Sequence, residues 1–283
     1  MRKSSGAVLV GAAIAGMLIW STIQALPRGT APFVRTNKAT EDSYSLSFGD
    51  SFVPQLASRD DLGISVVLAV DVSGSMSNPP ASGGRPKYIQ AAKALSQVVD
   101  VLERLVRDSP NGQILKVGVL KFNADVMPVM PLTELDASGL QRLRALVLDS
   151  TTFNPDGSTA IGDALAEGVE WLSQSGTILR SVIVVTDGEN MTGAEPSWVL
   201  SAVYNNRNNA NTPDYPVTTG STLTTFIGFD VNTGQFQSLE KYGARITAAA
   251  DQAQLASVLS NLLEADITKL EAPSLDGVQS TVK

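Results

Sequence analysis

Short apolar runs alternate along this chain with longer stretches in which apolar residues recur at helical spacing. Residues 64–70 form a run that is apolar except at Ser65 and rich in β-branched side chains, which is typical of a strand covered on both faces in a parallel sheet. The stretch that follows predicts a helix that stops near Ser109, because its apolar residues repeat every three or four positions. These repeating residues are Ala91, Leu95, Val98, Leu102 and Leu105.

The same alternation of strand and helix patterns continues to about residue 263. It predicts further strands at residues 115–122, 126–130, 181–186, 223–229 and 246–248, and helices at residues 140–147, 161–172 and 251–263. The asparagine-rich residues 205–211 show no apolar repeat and predict a solvated loop. Such alternation predicts an α/β fold with a doubly wound, mostly parallel open sheet, whose binding crevice lies at the carboxyl ends of the strands.

The amino-terminal residues predict a single membrane-spanning helix. Residues 6–26 carry no ionisable side chain and are long enough to cross a bilayer. Arg2 and Lys3 precede them, so the positive-inside tendency places the amino terminus in the cytoplasm and the rest of the chain in the periplasm or extracellular space. A cleaved signal peptide is the alternative for residues 1–26, although Ile23 makes cleavage after Ala25 unfavourable.

Small residues line one face of the predicted membrane helix. Ala7, Gly11 and Ala15 follow one another at intervals of four residues, and such a face allows another transmembrane helix to approach closely. Alanine-rich anchors without a helical partner have a similar composition. Both interpretations of this face stay open.

Residues 27–62 predict a connector between the anchor and a folded domain, since they contain no sustained apolar run. Within them, residues 43–48 alternate polar and apolar side chains, with Tyr44, Leu46 and Phe48 on one face. This segment predicts an edge strand that pairs with the following domain or with a partner, or else an extended linker that pairs with nothing. We assign residues 63–265 to the folded domain and residues 266–283 to a carboxyl-terminal tail.

Composition narrows the possible functions. Of 283 residues, 43% are apolar and 17% are charged, so the chain can bury a full hydrophobic core. There is no histidine and no cysteine, which excludes a Ser-His-Asp or Cys-His nucleophile, histidine or cysteine ligands to metals, and disulfide bonds. The formal net charge is -7 without a basic tract, which gives no support for nucleic-acid binding.

Side chains with oxygen atoms lie beside three of the predicted elements. Asp71, Ser73 and Ser75 come directly after the first strand, Thr159 lies in a loop before a helix, and Asp187 follows a later strand. Alternate positions of a sharp loop can turn one carboxylate and two hydroxyls toward the same point. Because the three loops lie at one edge of the predicted sheet, we expect these five residues to converge on a hard divalent cation.

These motifs resemble those of the von Willebrand factor A domain family. Three features are similar, in order and spacing, to that family's metal-ion-dependent adhesion site: the D-x-S-x-S motif of residues 71–75, the G-x-T motif of residues 157–159, and Asp187 at the end of an apolar strand. The resemblance covers about residues 63–265 and implies a Rossmann-like fold. It assigns to the metal shell Asp71, Ser73, Ser75, Thr159 and Asp187, the two carboxylates often acting through water.

The resemblance also implies a function. Mg²⁺, or Mn²⁺ or Ca²⁺ in its place, is held by an oxygen shell that stays incomplete, and an Asp or Glu carboxylate of a partner protein completes it. In a bacterial, membrane-anchored protein of this family, such binding serves adhesion or the assembly of a complex in the cell envelope. Glu189 and Asp230 also follow strands, and we expect them at the rim of the site rather than among the ligands.

An enzyme is the alternative to a binding protein. Asp71 after a strand also resembles the nucleophilic aspartate of magnesium-dependent, haloacid-dehalogenase-like phosphatases. That family requires a second aspartate two positions further on as acid and base, where this chain has Ser73. The sequence therefore predicts a binding domain without catalytic residues.

Overall fold

The computed structural model describes residues 63–108, 114–149, 151–177, 179–209 and 222–268. Within these residues six strands form one sheet. In chain order they are β1 Ile64–Asp71, β2 Leu115–Phe122, β3 Val126–Glu134, β4 Leu179–Thr186, β5 Thr222–Phe229 and β6 Arg245–Ala249. The spatial order is β3-β2-β1-β4-β5-β6, and every neighbouring pair is parallel except β2 with β3. The predicted mostly parallel sheet is thus confirmed, with one antiparallel strand at its edge.

Helices cover both faces of the sheet. The α-helices are α1 Lys87–Asp108, α2 Ala137–Leu148, α3 Ile161–Ser173, α4 Pro196–Asn209 and α5 Gln252–Thr268, and two 3-10 helices span Gly74–Ser77 and Thr233–Tyr242. One apolar core contains buried residues of α1, α2 and α5, and the other contains those of α3, α4 and the second 3-10 helix. The doubly wound arrangement predicted from the sequence is therefore confirmed.

β1 lies in the middle of the sheet and is buried along its whole length. Its even-numbered apolar residues from Ile64 to Val70 pack into the core with α1, while Val67 and Ala69 pack into the core with α3. Successive side chains of a strand point to opposite faces. A strand covered on both faces is therefore apolar at nearly every position, and the buried Ser65 is tolerated because its hydroxyl accepts a hydrogen bond from Thr177.

β3 is longer than the sequence predicts, since it continues through Glu134 instead of ending at residue 130. It pairs with β2 at one edge of the sheet, and two register shifts interrupt the pairing. Pro128 and Pro131 lie within it, which an edge strand tolerates because its outer side needs no backbone donors. These prolines explain why the strand pattern in the sequence breaks off early.

The loop predicted at residues 205–211 is wrong for its first part, because α4 extends to Asn209. Asparagine has a low helix propensity, and the sequence shows no apolar repeat there. Val199 and Leu200 near the start of α4 are nevertheless buried in the core that contains α3. Tertiary packing of the first turns thus outweighs the weak propensity of the end of the helix. Residues 210 and 211 lie outside the described residues.

The last helix continues to Thr268, beyond the predicted end near residue 263, so the predicted boundary between domain and tail falls inside α5. Asp266 is 1% exposed and accepts hydrogen bonds of 3.1 and 3.0 Å from the guanidinium of Arg245 on β6. A buried carboxylate requires such compensation, because removal from water disfavours its charge. The ion pair therefore fixes the end of α5 to the edge of the sheet.

Residues 1–62 and 269–283 lie outside the described residues. The predicted membrane segment, its face of Ala7, Gly11 and Ala15, the connector and the possible strand at residues 43–48 fall there and stay predictions. In the part of the chain that is described, no helix is both long and apolar enough to span a membrane.

Candidate metal centre

The loop after β1 gathers three oxygen-bearing side chains. Asp71, the last residue of β1, is fully buried, and its Oδ1 accepts a hydrogen bond of 2.7 Å from the backbone N–H of Ser73. The chain then enters the 3-10 helix Gly74–Ser77, and the hydroxyl oxygens of Ser73 and Ser75 lie 3.1 Å apart. The D-x-S-x-S spacing therefore places one carboxylate and two hydroxyls side by side, as the sequence predicts.

The loop after β4 brings the second carboxylate to the same place. β1 and β4 are parallel neighbours with Val70 opposite Val185, so their carboxyl ends meet at one edge of the sheet. The Ser75 hydroxyl donates a hydrogen bond of 2.7 Å to Oδ1 of Asp187. This contact joins two residues that are 112 positions apart in the chain.

Thr159 is held beside these residues by backbone hydrogen bonds. Gly157 and Asp156, in the same loop, are bonded to Gly74 and Val72 across 3.0 and 2.7 Å, which ties the loop to the end of β1. The Thr159 carbonyl accepts a hydrogen bond of 2.8 Å from the N–H of Met191, in the loop after β4. A Cβ placed on Gly188 would lie 3.9 Å from the Thr159 hydroxyl oxygen. All five predicted residues thus come from three loops that are bonded to one another.

Burial makes Asp71 an unusual carboxylate. It raises the pKa of Asp71 from 3.8 to about 6, and the nearby negative charge of Asp187 acts in the same direction. Hydrogen bonds from the Thr186 hydroxyl and from Ser73 stabilise the charged form and partly oppose this increase. At neutral pH the site therefore holds a desolvated negative charge, which a bound cation would stabilise.

Thr186 contributes to the site although sequence reasoning did not select it. Its hydroxyl donates a hydrogen bond of 2.5 Å to Oδ2 of Asp71 and accepts one of 3.2 Å from the N–H of Gly188. It is the last residue of β4, directly before Asp187. A polar residue directly after the apolar residues 182–185 is the signal that could have identified it.

Lys87, the first residue of α1, is a second contributor that sequence reasoning missed. Its Nζ lies 2.6 Å from Oδ2 of Asp187, and only 10% of its side chain is exposed. Lys87 precedes Ala91 by four residues and Leu95 by eight, so it lies on the buried apolar face of the helix. A lysine at such a position of a helical repeat is the signal that points to a buried ionic partner.

Asp230 and Glu189 lie beside the five residues. Glu189 is exposed. Asp230 has a φ of 57°, and both of its carboxylate oxygens accept hydrogen bonds from the N–H of Ala81, of 3.1 and 3.0 Å. Its Oδ2 also lies 4.0 Å from Nζ of Lys87. The Asp230 carboxylate thus binds the loop between the first 3-10 helix and α1, which agrees with the expected position at the rim.

The donor set suits a hard cation. It consists of the Asp71 and Asp187 carboxylates and three hydroxyl groups, and oxygen ligands of this kind favour Mg²⁺, Mn²⁺ or Ca²⁺. No group of three or more Asp, Glu, His or Cys residues able to hold a metal occurs in the described ranges, so the hydroxyls are essential to this candidate. Oδ2 of Asp187 is buried and, among the described residues, has no hydrogen-bond partner, its contact with Lys87 being an ion pair.

Residues 66–189 match the family model of the von Willebrand factor type A domain. The matched range runs from β1 to the loop after β4 and includes all five residues of the candidate site. The resemblance to this family is therefore confirmed over these residues. No curated protein matches this chain in sequence.

Solved structures are similar to this chain at low sequence identity. A von Willebrand factor type A protein from Catenulispora acidiphila has a TM-score of 0.54 at 18% identity, over 72% of this chain and 43% of that chain. A variant of an aerotolerance-related membrane protein from Bacteroides fragilis, with multiple mutations to serine, has a TM-score of 0.51 at 20% identity, over 73% and 100%.

The PilB minor pilin from Streptococcus sanguinis has a TM-score of 0.55 at 16% identity, over 74% of this chain and 62% of the pilin. The chain thus spans less than two thirds of the length of the Catenulispora protein and of the pilin. At these identities the likeness shows a shared fold.

Proposed function

From the match of residues 66–189 to the von Willebrand factor type A family, we propose that this domain binds a partner protein through a divalent cation. Asp71, Ser73, Ser75, Thr159 and Asp187 hold Mg²⁺, or Mn²⁺ or Ca²⁺, and an Asp or Glu of the partner completes its shell. The supporting observation is that Asp71 and Asp187 lie beside the bonded hydroxyls of Ser73 and Ser75, while backbone hydrogen bonds tie the Thr159 loop to the same two strand ends.

The residues of the chain prepare such a shell without filling it. The N–H of Ser73 and the hydroxyl of Thr186 fix both oxygens of Asp71, so this carboxylate cannot turn away. Ser75 bonds to Ser73 and to Asp187 and so holds the hydroxyls next to the second carboxylate. Mg²⁺ takes six oxygen ligands and keeps several waters, so a carboxylate of a partner can replace one of them.

The position two residues after Asp71 argues against phosphatase chemistry. Ser73 is 2% exposed, and its hydroxyl is paired with Ser75. A serine there provides no carboxylate to protonate a leaving group or to activate water. We therefore propose a binding role. Turnover of a generic phosphate ester with Mg²⁺ that disappears in Asp71→Asn would contradict it.

Calorimetric titration of the full-length protein with Mg²⁺ and Mn²⁺ tests the metal site. Wild type is expected to bind one ion, and Asp71→Ala is expected to bind none that can be measured, because it loses a charged ligand. Asp125→Ala removes the same charge from an exposed position after β2 and is the matched control. Equal affinity in wild type and Asp71→Ala would refute the site.

Partner capture tests the role of the metal in binding. The native protein should retain its partner with Mg²⁺ and release it with a chelator, and Asp71→Ala should retain nothing in either condition. Identification of the retained protein then distinguishes adhesion from assembly of an envelope complex. A partner that stays bound in chelator and in the variant would show that binding does not use the metal.

We also propose that residues 6–26 anchor the domain in a membrane, with the domain in the periplasm or extracellular space. The solved Bacteroides fragilis protein is described as a membrane protein. The chain enters β1 at Gly63, and the candidate site lies at the opposite, carboxyl end of that strand. In an anchored protein this direction favours a site that faces away from the bilayer.

Spectroscopic labels test this orientation in lipid vesicles. Ser77 lies beside the candidate site, and Gln174 lies before β4 at the opposite end of the sheet, and both are exposed. We expect the label at Ser77 to be farther from the lipid headgroups than the label at Gln174. A label at Ser77 that is nearer to the lipid would contradict the orientation, and a protein extracted by alkaline carbonate would contradict the anchor.

A further inference from the structure

Lys87 places a positive charge among the carboxylates of the candidate metal centre. Its backbone N–H donates a hydrogen bond of 3.0 Å to the carbonyl of Asn78, which fixes the start of α1. Its ammonium lies 2.6 Å from Oδ2 of Asp187 and 4.0 Å from Oδ2 of Asp230. The side chains of the two aspartates are 0% and 17% exposed. The ammonium therefore lies between a buried carboxylate and a more accessible one.

A lysine is buried in this way only where its charge is compensated, because transfer of an ammonium group from water is costly. Asp187 supplies that compensation in the structure and receives it in return. The same Oδ2 of Asp187 is the oxygen that has no hydrogen bond. The other oxygen of this carboxylate, Oδ1, accepts the hydrogen bond of the Ser75 hydroxyl. A cation that binds Asp187 through Oδ2 would therefore have to displace the lysine.

We propose that Lys87 is an internal counter-ion that competes with the divalent cation for Asp187 and so weakens metal binding by the domain alone. This inference rests on the proposed metal site. When the cation is bound to Asp187, the ammonium of Lys87 is repelled and takes Asp230 as its partner. The N–H of Ala81 donates to both carboxylate oxygens of Asp230 and so keeps this carboxylate close to Lys87.

Charge balance gives the competition a role in partner binding. The three carboxylates of Asp71, Asp187 and Asp230 and the one ammonium of Lys87 give a formal charge of about -2, which one divalent cation neutralises. Without Lys87 the site with its cation would stay negative and would repel a carboxylate of the partner. Lys87 thus lowers the affinity for the metal and prepares the metal-loaded site for an acidic ligand.

Substitution of Lys87 by methionine tests the competition, because methionine keeps an apolar stem of similar length and removes the charge. We expect Lys87→Met to bind Mn²⁺ and Mg²⁺ about tenfold more tightly than wild type, as measured by calorimetric titration of the full-length chain. Lys93→Met is the matched control, since Lys93 lies exposed on the same helix. Its affinity should stay within about twofold of wild type, because exposed charges are screened.

Thermal unfolding in chelator is a second measurement, and it does not require a bound metal ion. In chelator, Lys87→Met should melt below wild type and below Lys93→Met, because it leaves Asp187 buried without a counter-ion. Addition of Mn²⁺ should then raise its melting temperature by more than that of wild type. Lys87→Gln, which can still donate a hydrogen bond to Asp187, replaces Lys87→Met if the latter does not fold, with the same expected affinities.

The outcomes separate this inference from the proposed function. Equal affinities in wild type and Lys87→Met would overturn the competition and leave the metal site intact. Weaker binding in Lys87→Met would also overturn it, because Lys87 would then position Asp187 for the ion. Binding by neither protein would refute the metal site and the competition together. Measurable binding only in Lys87→Met would support both.

Discussion

Replacement of Asp71 by asparagine should stabilise the protein without metal and abolish its response to metal. The introduced amide can accept the hydrogen bond from the N–H of Ser73 and can donate one to the hydroxyl oxygen of Thr186. The Thr186 hydroxyl can then donate its own proton to the carbonyl of Gly188, 3.4 Å away. The buried negative charge disappears, while the shape of the side chain and its hydrogen bonds are kept. The variant thus isolates the energetic effect of the charge.

The magnitude follows from the pKa of Asp71. Burial raises this pKa from 3.8 to about 6, and each unit corresponds to about 1.4 kcal/mol, so the ionised group lowers the free energy of unfolding by up to about 3 kcal/mol at pH 7. The amide of the asparagine variant is also a polar group removed from water, which reduces the gain to about 1 to 3 kcal/mol. In a domain of this size such a gain raises the melting temperature by roughly 2 to 12 °C.

The pH dependence has a definite sign. Between pH 3.8 and about 6 the folded protein keeps the Asp71 proton that the unfolded chain has released, so this group lowers stability as the pH rises through that interval. Thermal unfolding in chelator should therefore show wild type and Asp71→Asn equally stable near pH 4 and the variant more stable at pH 7. Asp136 provides the opposite sign, because the N–H of Gly139 lowers its pKa. Asp136→Asn should match wild type in acid and be less stable at pH 7.

Metal should reverse the order of the two proteins. A ligand at about 1,000 times its Kd stabilises the folded state by about 4 kcal/mol, and only wild type should gain this. An Asp71→Asn protein less stable than wild type at pH 7 in chelator would refute the assigned effect of burial. A variant that gains as much from Mn²⁺ as wild type would refute the role of Asp71 as a ligand.

Three further predictions concern the surroundings of the site, the fold and the membrane segment. Gly162→Ala on α3 should disturb the loop after β4 and abolish metal binding, because its Cβ would lie 1.9 Å from the carbonyl oxygen of Ala194 in that loop. Gly168→Ala on the same helix is the control and should still bind metal in the same titration, because the atom nearest to its Cβ is a valine methyl at 3.2 Å. Arg245→Met should lower the free energy of unfolding in urea by about 3 kcal/mol, because it removes the guanidinium that donates two hydrogen bonds to the buried carboxylate of Asp266 on α5. A loss under about 1 kcal/mol would contradict that reasoning. Gly11→Leu should reduce the size of detergent-solubilised complexes if the small-residue face joins membrane helices, and an unchanged size would show that the face has no partner.

Several features of this protein are determined by the sequence alone, because they depend on local spacing. A short, mostly apolar and β-branched run such as residues 64–70 is typical of a strand covered on both faces, which indicates the parallel sheet. The spacing of Asp71, Ser73 and Ser75 acts within one loop, so the grouping of these side chains could be anticipated. The end of α4 could not, because asparagine disfavours a helix and only the packing of its first turns against α3 overcomes this preference.

The tertiary structure decides the electrostatics of the site, since these depend on contacts between distant parts of the chain. Thr186 bonds to Asp71 across 115 positions, and the exceptional pKa of Asp71 comes from burial by elements that meet only in the folded domain. In the sequence, Lys87 is one charge at the start of a helix. It becomes the counter-ion of Asp187 only because α1 directs its buried face toward the carboxyl ends of β1 and β4, where desolvation makes every unpaired charge costly.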